Sequence, residues 1–320
     1  METKEMYIAD LNMVFGKKNE PLLSHINDVV LPALQSNLFR ETGKNNTIIF
    51  FDKVDIRKLD NGEFVLSGLL IKKTVLDVKS EYTQKGLVKT DKKVDSAPFS
   101  MFMIYLKNHR MLLIKNQNGS PDLRSFNSTI REIIKKFVKI NNALQKENKT
   151  NNFLPFPTVN VTGIKTRESI KEALKNVKKI NELIIKLYPL NSEWDFHSPF
   201  GSLDRQVRQK IQSKRGTLVY RSPQSKEGVA EFIEGTEGLV KTQLKVEYNE
   251  DISSSGSKRT GTIKDAEISS KMHIDINNGL DEAYNEVNKR VNDIAALHVE
   301  TDNLNAEYQK YLENNKFWSE

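Results

Sequence analysis

Two short segments carry residue types that could act on a phosphodiester. His109 and Arg110 are adjacent in a predicted turn, where an imidazole could carry a proton and a guanidinium could bind the phosphate charge. Asp77 and Lys79 form an acidic-x-Lys pair in a predicted strand, with Asp60 upstream, a pattern compatible with a metal-dependent nuclease. Both segments also have a structural interpretation: a hydrophilic turn, and a chance triplet in a Lys-rich chain.

The sequence lacks the motifs of several common enzyme classes. It contains no Gly-rich phosphate loop, no dinucleotide fingerprint, no nucleophile elbow and no paired-His zinc helix. Cysteine is absent, which excludes disulfides and thiol nucleophiles, and none of the five histidines lies close to another in the sequence. We therefore expect no cofactor and no bound metal.

The distribution of charge indicates a polyanion as partner. The whole chain carries +7, but residues 122–216 contain 19 basic and 9 acidic residues, a net +10. Residues 278–320 contain 4 basic and 9 acidic residues, a net −5. A concentrated basic segment is typical of nucleic-acid binding, although a solvated surface in a Lys-rich chain is an equally simple explanation.

Two predicted helices and one aromatic loop supply the candidate nucleic-acid contacts. Arginine is well suited to phosphate because its planar guanidinium donates two hydrogen bonds at once. Aromatic rings in a basic environment can stack on unpaired bases, but they also serve to pin a loop onto a core. The candidates are Arg131, Lys135 and Lys139 on the helix predicted from 122 to 145, Arg205, Arg208, Lys214 and Arg215 on the helix predicted from 203 to 215, and Trp194 and His197 in the loop before it.

The hydrophobic pattern predicts two successive α/β modules. Apolar alternation predicts paired strands at 47–56 with 64–78 and at 101–106 with 111–115, before the helix at 122–145. A second cycle begins with a strand at 158–164 and a helix that runs from Thr166 to Pro189. The segment Gly86–Asp95 recurs as Gly238–Glu247 with seven identities in ten positions, which suggests a duplication or a chance similarity.

These elements predict an α+β fold of two tandem ferredoxin-like βαββ-α modules followed by a long amphipathic helix. The pattern resembles the paired ferredoxin-like modules of RNA-binding and CRISPR-associated RNA-processing proteins in arrangement, without a shared motif. We expect one module at 1–146, a linker at 147–152, a second module at 153–277, and the helix at 278–320. Apolar residues at threes and fours from Leu280 to Leu312 predict that helix.

The functional expectation is a nucleic-acid-binding protein that favours RNA or single strands. The main alternatives are a scaffold or a bacterial antiviral-defence component that assembles, as a homo-oligomer or with a protein partner, through 278–320, and a nuclease that uses His109 or Asp77. The charged N-terminus and the absence of any apolar run near twenty residues predict no secretory signal and no membrane span. A cysteine-free chain suits the reducing cytoplasm, where we expect the protein to act.

Overall fold

The fold is dominated by antiparallel strands. A computed structural model describes residues 2–43, 47–84, 86–189, 207, 210, 211, 213, 215–249, 260–276, 280–290, 294, 297 and 304–314. The strands are β1 (Glu2–Phe15), β2 (Glu20–Pro21), β3 (Phe39–Thr42), β4 (Thr47–Lys58), β5 (Phe64–Thr83), β6 (Gly86–Ser96), β7 (Phe99–Tyr105), β8 (Arg110–Lys115), β9 (Pro157–Gly163), β10 (Val177–Leu187), β11 (Gly216–Arg221), β12 (Lys241–Tyr248), β13 (Thr260–Lys264) and β14 (Lys271–Ile276).

The helices are fewer and mostly short. A continuous helical segment combines a 3-10 turn at Leu22–His25, a π-helical turn at Ile26–Val30 and α1 (Leu31–Gln35). A further 3-10 turn spans Asp265–Glu267. The remaining described helices are α2 (Leu123–Glu147), α3 (Arg167–Leu174), α4 (Lys226–Glu234), α5 (Leu280–Arg290) and α6 (Leu304–Asn314).

The large sheet contains ten described strands, which come from residues 2–163 and 271–276. Its main path runs β14-β1-β8-β7-β5-β4-β3, and β2 and β9 also pair with β1, while β6 pairs with β5. Every pairing is antiparallel. The first half of β1 pairs with β14, the last described strand, and its second half pairs with β9. Residues between β9 and β14 therefore leave this sheet and return to it.

Helices cover both faces of the large sheet, which explains why its central strands are apolar almost throughout. On β7, Phe102 and Ile104 point to the first face, whereas Met101 and Met103 point to the second. The first face packs against α2, where the Phe126 ring lies 5.2 Å from the ring of Phe102. Asp122 caps α2 by accepting a hydrogen bond from the Ser125 amide at 2.7 Å. This helix and the hairpins at 47–78 and 101–115 confirm the sequence prediction.

A second, smaller sheet lies between β9 and β14 in the sequence. Its strand order is β11-β10-β12-β13, and α3 and α4 pack together on it. Their shared core includes Ile170, Leu174, Ile233 and Leu244. Thr166 caps α3 in a capping box with Ser169. We call residues 164–270 the inserted unit, because the chain on either side of it belongs to the large sheet.

The predicted pair of ferredoxin-like modules is wrong. One large curled antiparallel sheet takes strands from 2–163 and from 271–276, so the α+β chain is mostly β and is not two equal modules. The residues predicted as a linker at 147–152 connect α2 to β9, and both elements pack within the large sheet's part of the fold.

The repeated segment is not evidence of duplication, because its two copies occupy different environments. Gly86 begins β6, which among the described strands pairs with β5 alone, and Leu87 is 75% exposed. Gly238 precedes β12 in the middle of the small sheet, and Leu239 is buried. The two glycines share a positive φ, of 94° and 81°. A left-handed turn followed by a strand explains the similar sequences.

The long helix predicted at 278–320 is also wrong. The described residues form two separate helices, α5 and α6, of 11 residues each, which pack on opposite faces of the large sheet. Val287 of α5, with Ile294 and Leu297, joins the second face, and Tyr308 and Tyr311 of α6 join the first. The apolar residues of the stripe whose exposure is described are therefore buried or partly buried within the same chain.

The helix predicted from Thr166 to Pro189 ends at Leu174 and is followed by the long strand β10. The pairing of β10 with β12 shifts register between Val177 and Lys179 and again between Ile180 and Glu182. These bulges place buried Val177, Ile180 and Leu183 three residues apart, a spacing that mimics a helix. Likewise, apolar residues from Leu22 to Leu38 keep a helical spacing, but the helix ends at Gln35 and strand β3 follows it.

Tyr308 provides a test of how α6 stabilises the sheet. Its hydroxyl accepts a hydrogen bond from the buried Phe64 amide at 3.0 Å. Tyr308→Phe leaves that amide without its partner, so we expect the free energy of unfolding to fall by about 1–3 kcal/mol. Urea denaturation monitored by circular dichroism measures the change. Tyr220→Phe, on an exposed ring of β11, is the matched control. Equal stabilities of the two variants would contradict this role for α6.

Candidate functional site

The structure brings buried charged groups together where the inserted unit meets the second face of the large sheet. Asp10 on β1 and Arg110 on β8 are only 3% and 2% exposed. Asp10 and Arg110 are paired in the β1–β8 register, so their side chains share a face. Lys165 and Asp265 come from the inserted unit. We call Asp10, Arg110, Lys165 and Asp265 the Asp10 cluster.

Arg110 connects the large sheet to the turn before β12. Its Nη1 donates to the carbonyl oxygen of Glu237 at 2.7 Å and lies 3.7 Å from Oδ1 of Asp10. Its Nη2 lies 3.7 Å from the Glu237 carboxylate. Gly238 completes this contact: an added Cβ would lie only 2.7 Å from the Ile164 side chain, and φ is 81°. A larger residue at 238 would push the turn away from Arg110.

Lys165 and Asp265 hold the start of β12 from the other side. Lys165 Nζ lies 2.8 Å from Oδ1 of Asp265 and donates to the carbonyl oxygen of Val240 at 3.2 Å. The same carboxylate oxygen accepts from the Thr242 amide at 2.9 Å. A buried ammonium costs much less free energy when it has such partners. The Asp10 cluster thus fixes the position of residues 237–242.

Asp10 is the least satisfied member of this cluster. Burial raises its pKa to about 6, against the opposing effects of Arg110 and Lys165. Among the described residues, its Oδ1 accepts no hydrogen bond. The neighbouring His109 is also buried, and burial lowers its pKa to about 4. Burial therefore shifts the pKa values of these two buried groups in opposite directions, upward for Asp10 and downward for His109.

A set of cations extends from the Asp10 cluster to the surface. Lys186 on β10 and Lys241 on β12 are directly opposite each other across the strands, a like-charge arrangement that normally destabilises a sheet. Lys241 lies 6.0 Å from the centre of the Tyr188 ring, and burial is the main cause of its lowered pKa. Arg131 on α2, Lys165 and Lys186 lower this pKa further, while Asp265 opposes them.

Two residues predicted from the sequence converge on this place. Burial raises the pKa of Tyr188, and both Arg215 and Arg131 act on the same hydroxyl to lower it. Arg215 is exposed and Arg131 half-buried. We call Arg131, Lys186, Arg215 and Lys241 the basic cluster. In the electrostatic surroundings of Lys241, the cations Arg131, Lys165 and Lys186 outnumber the carboxylate of Asp265, so the arrangement favours an anion.

The other predicted nucleic-acid contacts are only partly placed. Lys135 and Lys139 are exposed on α2, the same helix that carries Arg131. Of the predicted helix at 203–215, residues 207, 210, 211, 213 and 215 are described, and the apolar Val207 and Ile211 are exposed. Arg205, Arg208, Lys214, Trp194 and His197 lie outside the described residues, so their roles stay predictions.

The predicted catalytic candidates do not form a common site. His109 and Arg110 are buried, and Arg110 is engaged by the Glu237 carbonyl. Asp77 and Lys79 are exposed on the far half of β5, where Lys79 pairs with Asp91 at 3.2 Å. Thirteen residues of strand separate Asp77 from Phe64, about 40 Å at the usual rise, and Asp60 lies beyond Phe64.

Sequence reasoning missed Asp10, Lys165, Lys186, Lys241 and Asp265. For Asp10 a signal was available: it interrupts the apolar run from Ile8 to Met13, where a polar residue must be buried and therefore paired. The lysines carry no comparable signal, because isolated lysines are common on any surface. The importance of Lys186 and Lys241 comes from the pairing of β10 with β12, and that of Lys165 from its contacts with Asp265 and the Val240 carbonyl.

Comparison with known proteins adds no family assignment. No protein-family model matches the chain, and no characterised protein shows significant sequence similarity to it. Within the described residues, no three His, Asp or Glu side chains are grouped as metal ligands. No helix in the same part of the chain is long and apolar enough to cross a membrane.

The raised pKa of Asp10 predicts a specific dependence of stability on pH. The folded protein binds this proton more tightly than the unfolded chain, so the contribution to stability is complete below pH 3.8 and is lost as the pH rises to about 6. Asp10→Asn removes this dependence. As the pH rises from 4 to 7, we expect the free energy of unfolding of the variant, relative to that of wild type, to increase by on the order of 3 kcal/mol. Urea denaturation across this range tests it, and parallel pH profiles would contradict it.

The lowered pKa of His109 predicts a pH dependence of stability with the opposite sign. Its pKa is lowered from 6.5 to about 4, so the unfolded chain binds the proton more readily and stability is lost as the pH falls through this range. His109→Asn keeps a residue that tolerates the observed φ of 57°. As the pH falls from 6.5 to 4, the free energy of unfolding should fall less in the variant than in wild type. The difference between the two losses should be on the order of 3 kcal/mol. Thermal melts at several pH values measure this, and an unchanged acid sensitivity would exclude His109 as its source.

Proposed function

We propose that this protein binds nucleic acid, RNA or single strands in preference to duplex DNA, through the basic cluster. One observation carries the proposal: Lys186 and Lys241 are directly opposite each other, and Arg131 adds a third positive charge. Such a group is unfavourable without an anion, and a phosphate would remove the repulsion.

The surrounding charge supports a polyanion over a single small anion. Residues 122–216, which contain Arg131, Lys186 and Arg215, carry a net +10. Exposed Lys135 and Lys139 extend the positive surface along α2. A nucleic acid contacts several cations at once and gains affinity by releasing counterions, which a single phosphate cannot do to the same extent.

The alternative functions have less support. Assembly through the C-terminal segment needs an apolar surface there, but Val287, Tyr308 and Tyr311 are buried within the chain. A nuclease would need accessible catalytic groups, whereas His109 is buried and Asp77 is far along β5 from Asp60. A cytoplasmic location, in keeping with the absence of cysteine, forms part of the proposal.

Reversal of two charges in the basic cluster tests the proposal. We expect Arg131→Glu with Lys186→Glu to weaken the binding of single-stranded RNA at least tenfold, and to reduce the slope of log K against log salt by about 0.7 for each lost phosphate contact. Fluorescence anisotropy at several salt concentrations measures both quantities. Lys17→Glu with Lys18→Glu, on an exposed turn, makes the same change in net charge and serves as control.

The stability of the same variants separates a binding role from a structural one. The carboxylate introduced by Lys186→Glu would face Lys241 as an opposite charge, so this substitution should leave the melting temperature unchanged or raise it. Loss of affinity without loss of stability supports a ligand site. Wild-type affinity in the folded double variant, or an equal loss in the control, would refute the proposal.

A further inference from the structure

The far half of β5 and the whole of β6 form a two-stranded arm that extends beyond the large sheet. Thr74–Thr83 pair with Gly86–Ser96, and β6 pairs with no other described strand. Ten residues of strand extend about 30 Å. The arm keeps large apolar side chains in solvent: Tyr82 is 86% exposed, Leu87 75% and Leu76 51%.

The two faces of the arm differ in charge. Alternate residues of a strand share a face, and so do residues directly opposite each other. One face combines Leu76 with Val94, Val78 with Lys92, Ser80 with Lys89, and Tyr82 with Leu87. A register shift between Val78 and Ser80 puts Lys89 and Lys92, three residues apart on β6, on this same face, which has no acidic residue of its own. We call it the Tyr82 face.

The opposite face is balanced in charge. Asp77 lies opposite Lys93, Val75 lies opposite Asp95, and Glu81 lies opposite Val88. Lys92 reaches Glu81 at 2.7 Å, but this ion pair is exposed and contributes little, so a phosphate can compete for the lysine. We therefore expect an anionic ligand to bind the Tyr82 face and not the opposite face.

We propose that the Tyr82 face is a second nucleic-acid contact, on which Tyr82 stacks against an unpaired base while Lys89 and Lys92 bind the flanking phosphates. This inference rests on the proposed function and names single strands as the ligand of the arm. An exposed aromatic ring between cations is the arrangement that binds unpaired bases with little dependence on sequence. A base within a duplex does not offer its face to such a ring.

Charge argues against a second copy of the chain as the occupant. Two Tyr82 faces packed together would bring Lys89 and Lys92 of both copies, four positive charges, into one interface against the two Glu81 carboxylates that pair with Lys92. Like charges in such contacts oppose association. The arm also belongs to a chain whose net charge is +7. A polyanion complements both the face and the whole molecule.

Substitutions on the full-length protein test the arm directly. Tyr82→Ala should weaken binding of a labelled single-stranded oligonucleotide about fivefold or more, whereas Tyr82→Phe, which keeps the ring, should bind like wild type. Lys89→Gln should weaken binding and reduce its salt dependence, and Lys93→Gln, on the opposite face, should not. Because Tyr82 and both lysines are exposed, all four variants should melt at the wild-type temperature.

The outcomes separate this inference from the proposed function. If wild type binds and the basic-cluster variant does not, but Tyr82→Ala binds normally, the arm proposal is overturned and the proposed function survives. If wild type binds no single strand, both fail. Equal losses in Lys89→Gln and Lys93→Gln would reject a specific face. A change of molar mass by light scattering in Tyr82→Ala, with unchanged affinity, would assign the face to a second copy and overturn the proposal.

Discussion

The hydrogen bonding of β1 is the constraint on which the rest of the structure depends. This strand pairs with β8 on one side and with β14 and β9 in succession on the other, so it joins residues 2–15 to segments at 157–163 and 271–276. Its register also decides which side chains face the inserted unit. A slip of one residue would put apolar Ala9 or Leu11 in the place of Asp10. The Asp10 carboxylate would then lie in the core of the first face, and the packing on both faces of the sheet would be lost.

Buried charge then determines where the inserted unit lies. Asp10, Arg110 and Lys165 are almost inaccessible to solvent, and ions in such surroundings are tolerated only with suitable partners. Arg110 finds its partner in the Glu237 carbonyl, and Lys165 in Asp265 and the Val240 carbonyl. These contacts have definite directions, unlike apolar packing, so they define one position for residues 237–242. The position of Lys241, and with it the basic cluster, follows from that arrangement.

One strand, β5, shows how the same backbone serves stability and recognition. From Val65 to Ile71 it is sandwiched between β4 and β7, and its side chains fill both cores. Beyond Thr74 it has β6 as its paired strand and lies largely in solvent. Lysines along such an exposed ribbon discourage edge-to-edge aggregation, and the same lysines are available to an anionic ligand. Residues there can change with little effect on the fold, which makes the arm well suited to binding.

Local sequence determined the elements whose signals lie within a few residues: α2 with its Asp122 cap, the β4–β5 hairpin around Gly62, and the β7–β8 hairpin. It also identified Arg131 and Arg215 as cations of interest. The tertiary structure decided the features that depend on pairing between strands distant in the sequence. Bulges gave the buried residues of β10 the spacing of a helix. The apolar residues of α5 and α6, whose spacing suggested a single stripe, pack on opposite faces of the large sheet. Asp10 meets Arg110, and Lys186 meets Lys241, only because strands distant in sequence are hydrogen-bonded, and side-chain periodicity carries no record of which strand will be the neighbour.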